Sequence, residues 1–211
     1  MNTPRYRALI FDMDGTITTP VIDFQRIRQE IGLGPGDVAK EIEDLPKKER
    51  DAAWRVIERH ERKAEAEQQL QEGTKELLER CRKDDIRIGL ITRNVRRSVD
   101  RLCQKFDLVF DSIITREFPH IKPHPAPIIH MLTAWEIAAE DTLMIGDYIH
   151  DIHCGIAAGT ATCFYMNPGC KDFGVHADFT VRSMAELGAL LYGALSKSLE
   201  RLRRDASTSS A

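Results

Sequence analysis

With 211 residues, 42% of them hydrophobic and 30% charged, the chain is long enough for one good-sized domain, or one domain carrying a small insert. A formal charge of −3 argues against a nucleic-acid binder or a membrane-surface protein, and no apolar run approaches the length of a bilayer span. Five cysteines (Cys81, Cys103, Cys154, Cys163 and Cys170) are an odd number without a CxxC pair, which fits reduced structural thiols better than a zinc site or a disulfide framework. The opening MNTPRYR leads into a strand without the apolar stretch of a secretory leader, so a cytoplasmic location is expected.

The first element is an apolar strand over 6–11. It runs into Asp12-Met13-Asp14-Gly15-Thr16, two carboxylates one residue apart. Asp14-Gly15 is a turn signal in its own right. A calcium loop would need Gly at its sixth position and Glu at its twelfth, where the chain has Ile17 and Asp23. A catalytic pair is the third reading. No convincing strand then follows until residue 86. Helical patterns cover 23–31, 37–45 and 47–70, punctuated by GLGPG and Pro46. The third is dense in charge, with only a thin stripe at Trp54, Ile57, Glu61 and Ala64. This stretch reads as an inserted helical subdomain, and its place just after the Asp pair suggests a lid. A solvated helical hairpin is the plainer alternative.

Further strands are expected at 86–91, 112–115, 142–145, 161–165 and 179–181. Helices are expected at 74–83, 95–105, 125–135 and 149–158, with a last one over 184–202. Strands alternating with helices indicate parallel βαβ units. The expected fold class is α/β: a Rossmann-like three-layer α/β/α core with a mostly parallel sheet, plus an inserted α-helical cap.

Ligands of open α/β sheets bind at the carboxyl ends of the strands. The first strand ends in Asp12 and Asp14, which share a face of an extended chain. GLITRN puts Thr92 at the tip of the second. HIKPHP, beyond the third, holds Lys122. LMIGDYIHD places Asp147 at the fourth tip and Asp151 one helical turn on. Several carboxylates gathered there call for a cation, and Mg²⁺, which takes one or two carboxylates with water and substrate phosphate, fits. Thr92 and Lys122 suit the oxygens of a phosphoryl group. There is no GxxxxGK[ST] loop, so a P-loop nucleotide site is excluded.

These motifs, in this order, resemble those of the haloacid dehalogenase-like hydrolase superfamily, most closely its phosphoglycolate phosphatase-like branch with a small helical cap. DMDGT is the most specific of them, and the resemblance runs from about Tyr6 to Leu191. It implies a core of 1–18 with 72–205, a cap of 19–71, and a polar tail at 206–211 without fixed structure. It also implies roles. Asp12 is the nucleophile that becomes an aspartyl phosphate. Asp14 is the general acid and then the base. Thr92 and Lys122 hold the phosphoryl oxygens. Asp147, the Asp12 carboxylate and the Asp14 backbone carbonyl hold Mg²⁺, and Asp151 holds a metal water or orients Lys122. Gly15, Thr16, Arg93 and Asn94 complete the expected phosphate- and substrate-binding set, although Arg93 also fits a residue turned to solvent. Asp14 favours phosphate esters over halides, because a halide leaves without a proton.

The chain departs from the family pattern at Arg93, where small or amide residues are common, and at Tyr148, where Ser or Thr is frequent. The cap is short for the branch. His120, His124, His150 and His153 read as exposed or locally bonded imidazoles rather than metal ligands. Lys47, Lys48, Arg50, Arg55 and Arg59 could meet an anionic leaving group, but pairing with Glu49, Asp51, Glu58 and Glu61 along one helix is the plainer reading. The expected activity is Mg²⁺-dependent hydrolysis of a small phosphorylated metabolite, with no nucleic-acid or membrane partner. A sugar phosphomutase, a phosphonate hydrolase and a non-catalytic binding protein on the same scaffold are the alternatives. Monomer and homodimer fit the sequence equally.

Overall fold

The computed structural model describes residues 4–20, 24–34, 36 and 38–193. Six strands form one sheet: β1 (Ala8–Phe11), β2 (Arg87–Ile91), β3 (Ser112–Ile114), β4 (Thr142–Gly146), β5 (Ala161–Tyr165) and β6 (Phe179–Val181). Their order is β3-β2-β1-β4-β5-β6, and every pairing among them is parallel. The helices are α1 (Phe24–Ile31), α2 (Val38–Glu43), α3 (Lys47–Glu67), α4 (Thr74–Lys83), α5 (Arg96–Phe106), α6 (Ala126–Trp135), α7 (Ile149–Ala158) and α8 (Met184–Leu191). Single 3-10 turns at Ala139–Asp141 and Gly174–His176, which the periodicity does not predict, complete the list among the described residues. The last helix, expected to run to 202, instead ends at Leu191, where Tyr192 caps it and Gly193 turns the chain with a φ of 78°; residues 194–202 and the tail at 206–211 lie outside the described residues. So do the expected helix starts at Asp23 and Asp37.

Parallel strands covered on both faces need apolar side chains on both, and the central ones have them. Leu9 and Phe11 of β1, Ile88 and Leu90 of β2, and Leu143 and Ile145 of β4 join a core with Leu77 and Leu78 of α4, Val99 and Leu102 of α5, and Leu187 and Leu191 of α8. The alternate residues Ala8, Ile10 and Met144 join Ile128, Met131 and Leu132 of α6 and Cys154 of α7. This period-2 split produces the three layers.

The chain divides into two compact units, Met1–Thr19 with Leu70–Ala211, and Pro20–Gln69. The second unit has its own cluster of Ile27, Ile42, Ala53 and Ile57, with Trp54 packed against it. The expected stripe is therefore borne by Ile57 and Trp54 together with Ala53; the side chains of Glu61 and Ala64 lie outside the described ones. Pairing along α3 is seen between Glu58 and Arg62 at 3.9 Å, but two of its basic residues pair elsewhere. Arg50 reaches Glu43 at 3.6 Å and Arg59 bonds to Glu30, on the two neighbouring helices rather than along their own. No helix of the described residues is long and apolar enough to cross a membrane.

Strand order fixes where a site can form. From β1 the chain builds outward through β2 to β3. It then crosses back to β4 on the other side of β1 and continues to β5 and β6. The reversal leaves a crevice at the carboxyl ends of β1 and β4.

Candidate active site

Asp12 continues the β1 ladder by one residue, its N–H donating to Ile145 O at 2.9 Å. Asp147 follows Gly146, the last residue of β4. Both therefore stand in the crevice. Thr92 likewise extends β2, its N–H donating to Ile114 O at 3.0 Å. Beyond Asp12 the chain turns tightly: the N–H groups of Ile17 and Thr18 both donate to Met13 O at 2.9 Å, and Gly15 takes a φ of 78°. A side chain there would be strained by that φ, and its Cβ would overlap the Asp147 carboxylate, so glycine is required twice over.

Lys122 is the electrostatic centre. Only 3% exposed, it places Nζ 2.5 Å from Asp12 Oδ1 and 2.6 Å from Asp151 Oδ1. The other Asp151 oxygen accepts the Tyr148 N–H at 3.0 Å. Asp151 thus anchors the start of α7 and aims the lysine. Gly146 makes room for it, because a Cβ there would meet the Asp151 side chain. Asp12, Asp147 and Asp151 can each offer an oxygen so that all three lie within 4.8 Å of one another.

Three carboxylates share one ammonium, and proton affinities record the shortage. Burial foremost, then the Asp12 and Asp151 charges, push Asp147 up to about 8. Burial raises Asp12 to about 6, with Lys122 opposing it and Asp151 adding to it. The same two carboxylates raise Lys122 above its ordinary value against the opposing effect of burial, the largest single influence on it. A stability prediction follows from the signs. A carboxylate whose folded pKa lies above its unfolded value of about 4 contributes fully below that value, and the contribution is lost as pH rises through the folded pKa. In chelator, the protein's melting temperature should fall from pH 5 to pH 9. Asp147→Asn should flatten the upper part of the fall. Thermal melts across that range check it, and an identical slope in the variant would contradict the cluster's electrostatics.

The remaining expected residues flank this cluster. Asp14 turns its Oδ2 to the Asn94 amide. Asn94 N donates to Thr92 Oγ1 at 3.1 Å, so β2's tip and the Asp14 carboxyl are tied together. The Thr16 hydroxyl is fully buried with no hydrogen-bond partner among the described residues. Arg93 points Nη1 to His150 Nδ1 at 3.1 Å. Of the other singled-out histidines, His120 and His124 stack at 4.4 Å, and His153 lies edge-on to His176.

Sequence relationships agree with this geometry. The profile of the haloacid dehalogenase-like hydrolase family matches residues 18–165, beginning just past the Asp12–Asp14 turn. The chain belongs to that family. A haloacid dehalogenase-like hydrolase domain-containing protein of Arabidopsis thaliana is 35% identical over 207 residues, covering 89% of this chain and 84% of its own. A protein of Bacillus cereus named pyrophosphatase PpaX is 28% identical over 181 residues, covering 75% and 82%. Among solved structures, a predicted phosphoglycolate phosphatase from Haemophilus somnus superposes with a TM-score of 0.71, covering 88% of this chain and 98% of its own at 17% identity. That last likeness is one of fold.

Two polar residues of this haloacid dehalogenase-like hydrolase were not legible as site residues. Asn167 donates to Gly15 O at 2.6 Å, and Gln71 donates to Asn167 Oδ1 at 2.8 Å. For Asn167 the signal was its position just past the end of β5, a strand tip that carries no charged residue. For Gln71 there was none.

Proposed function

We propose that the chain is a Mg²⁺-dependent phosphatase that hydrolyses a small phosphorylated metabolite through an aspartyl phosphate on Asp12. The observation that carries this reading is Lys122, a buried ammonium held 2.5 Å from the Asp12 carboxylate at the sheet's switch point. Such a lysine supports attack by one anion on another. It screens Asp12 from the approaching phosphoryl group and lies ready for the oxygens that gain charge in transfer.

The donor set fits a hard divalent cation. Its groups are oxygens, they crowd within 4.8 Å, and the raised proton affinities of Asp12 and Asp147 mark a place short of positive charge. Asp12 and Asp147, with the Asp14 backbone carbonyl, would hold Mg²⁺, which supplies charge neutralisation for the phosphoryl oxygens. Asp151 is committed to Lys122 and the Tyr148 N–H, which supports its role in aiming the lysine. Asp12 attacks phosphorus. Asp14, steadied by Asn94, hands a proton to the departing oxygen and later takes one from the attacking water. The Thr92 hydroxyl, beside Asn94 N, is placed to donate to a phosphoryl oxygen. The segment 20–69 acts as the cap that selects substrate.

A second reading concerns the leaving group. The relative named pyrophosphatase supports including an anhydride, inorganic pyrophosphate, beside the esters. The test is a screen of phosphorylated metabolites and pyrophosphate for release of inorganic phosphate, with and without chelator. Turnover of at least one compound, abolished by chelation and restored by Mg²⁺, is expected. Turnover that survives exhaustive chelation would remove the metal from the scheme, and return of phosphate to a sugar phosphate would make the chain a mutase.

A further inference from the structure

Asn167 lies just beyond β5 and is 5% exposed. Its amide reaches three polar groups. Nδ2 donates to Gly15 O at 2.6 Å and stands 3.4 Å from Asp147 Oδ2, while Oδ1 accepts from Gln71 Nε2 at 2.8 Å. Gln71 Nε2 is also 3.4 Å from Gly15 O. The backbone of Gln71 is tied to the same turn, its N–H donating to Ile17 O at 3.0 Å.

An asparagine amide has almost the same shape in either orientation, but reversal exchanges donor for acceptor. Reversed, Asn167 would aim Oδ1 at the Gly15 carbonyl and the Asp147 carboxylate, so that only acceptors faced one another. The Gln71 NH₂ group prevents this, because it needs an acceptor where Oδ1 now stands. Gln71 therefore sets the polarity of Asn167, and Asn167 presents N–H to the Gly15 carbonyl and the Asp147 carboxylate. Gly15 and Asp147 already share one space, since any Cβ on Gly15 would overlap the Asp147 carboxylate. A donor that fixes one fixes the other. Outer partners that orient ligating carboxylates are worth about 10- to 100-fold in metal affinity.

We propose that Gln71 and Asn167 are positioning residues: an amide relay that holds the Gly15 turn and the Asp147 carboxylate in the orientation that takes a divalent cation. The inference rests on the metal-assisted reading above. It adds two residues outside the family motifs, one of them in the segment where the chain re-enters the six-stranded unit at Leu70.

The test is calorimetric titration of the full-length protein with MgCl₂ alone, without substrate, with circular dichroism confirming the fold of each variant. Asn167→Ala should raise the Mg²⁺ dissociation constant about 10- to 100-fold. Gln71→Ala should raise it by a smaller factor, and in the Asn167→Ala background it should add less than about twofold, because it acts through Asn167. Gln71→Glu is the decisive variant, and because Gln71 is half-buried it does not depend on Asn167→Ala folding. An added negative charge near the site would by simple attraction tighten Mg²⁺ binding. The relay requires the opposite. The introduced carboxylate would accept rather than donate, turn the Asn167 amide around, and weaken binding below that of Gln71→Ala. Wild-type or tighter binding by Gln71→Glu, or a dissociation constant for Asn167→Ala within about twofold of wild type, would overturn the relay while leaving the metal site standing. A wild-type protein that hydrolyses a phosphate ester but gives no Mg²⁺ binding would overturn the metal-assisted reading and the relay with it.

Discussion

Replacing Asp12 with asparagine should lower phosphate release from p-nitrophenyl phosphate by at least about 10⁴-fold, the scale on which loss of an attacking group acts. The amide is the same size and keeps an oxygen, so binding of substrate is retained far better than turnover. What it lacks is a charged nucleophile that can form the acyl phosphate. The variant should fold, because Lys122 keeps its 2.6 Å bond to Asp151 when the Asp12 charge is removed. Acid quenching during turnover should trap phosphate on the wild-type chain and none on the variant. Metal-dependent hydrolysis by Asp12→Asn above about one hundredth of the wild-type rate would reassign the nucleophile.

The second large effect is on stability. Lys122→Met should cost about 3–5 kcal/mol near pH 8 in chelator, because it removes one partner of a buried ionic group and leaves the others uncompensated. The ammonium is 3% exposed and serves two carboxylates, so solvent offers little relief. The sign with pH is specific. Without the ammonium, which opposes the rise caused by burial, Asp12 holds its proton more tightly in the folded state than with it. The variant's deficit should therefore shrink as pH falls toward 5. Urea denaturation at the two pH values measures this. A deficit independent of pH would mean that the lysine acts by filling space alone, which the isosteric stem of methionine largely preserves.

The sheet was legible because each strand carries its own signal. Short β-branched runs bounded by turns located all six to within two residues at either end. The shared face expected of Asp12 and Asp14 rests on an extended chain, whereas the chain turns beyond Asp12, so Asp12 meets Lys122 and Asp14 meets the Asn94 amide. The site was legible wherever a charged residue interrupts an apolar strand end, as at Asp12 and Asp147, or sits between apolar neighbours, as Lys122 does. What remained hidden is what only tertiary contact creates. Nothing in the string says that Arg59 finds Glu30 rather than a carboxylate on its own helix. Nor does it say that Asn94 turns to Asp14, because a neutral amide on a loop has many equivalent uses. The Gln71–Asn167 pair spans 96 residues of sequence and has no periodicity at all.

Thr18 and Leu70 are bridged antiparallel, one residue before the chain leaves the six-stranded unit and at the residue where it returns. Entry and exit of a fifty-residue insertion, Pro20–Gln69, thus stand side by side, like the two ends of a socket. The inserted helices bury Ile27, Ile42 and Ile57 in a cluster of their own, and among the described residues the large clusters on the sheet take none from that segment. Closure cost grows only logarithmically with loop length. The two residues that stand together can therefore carry a longer or a shorter insertion at little further entropic cost.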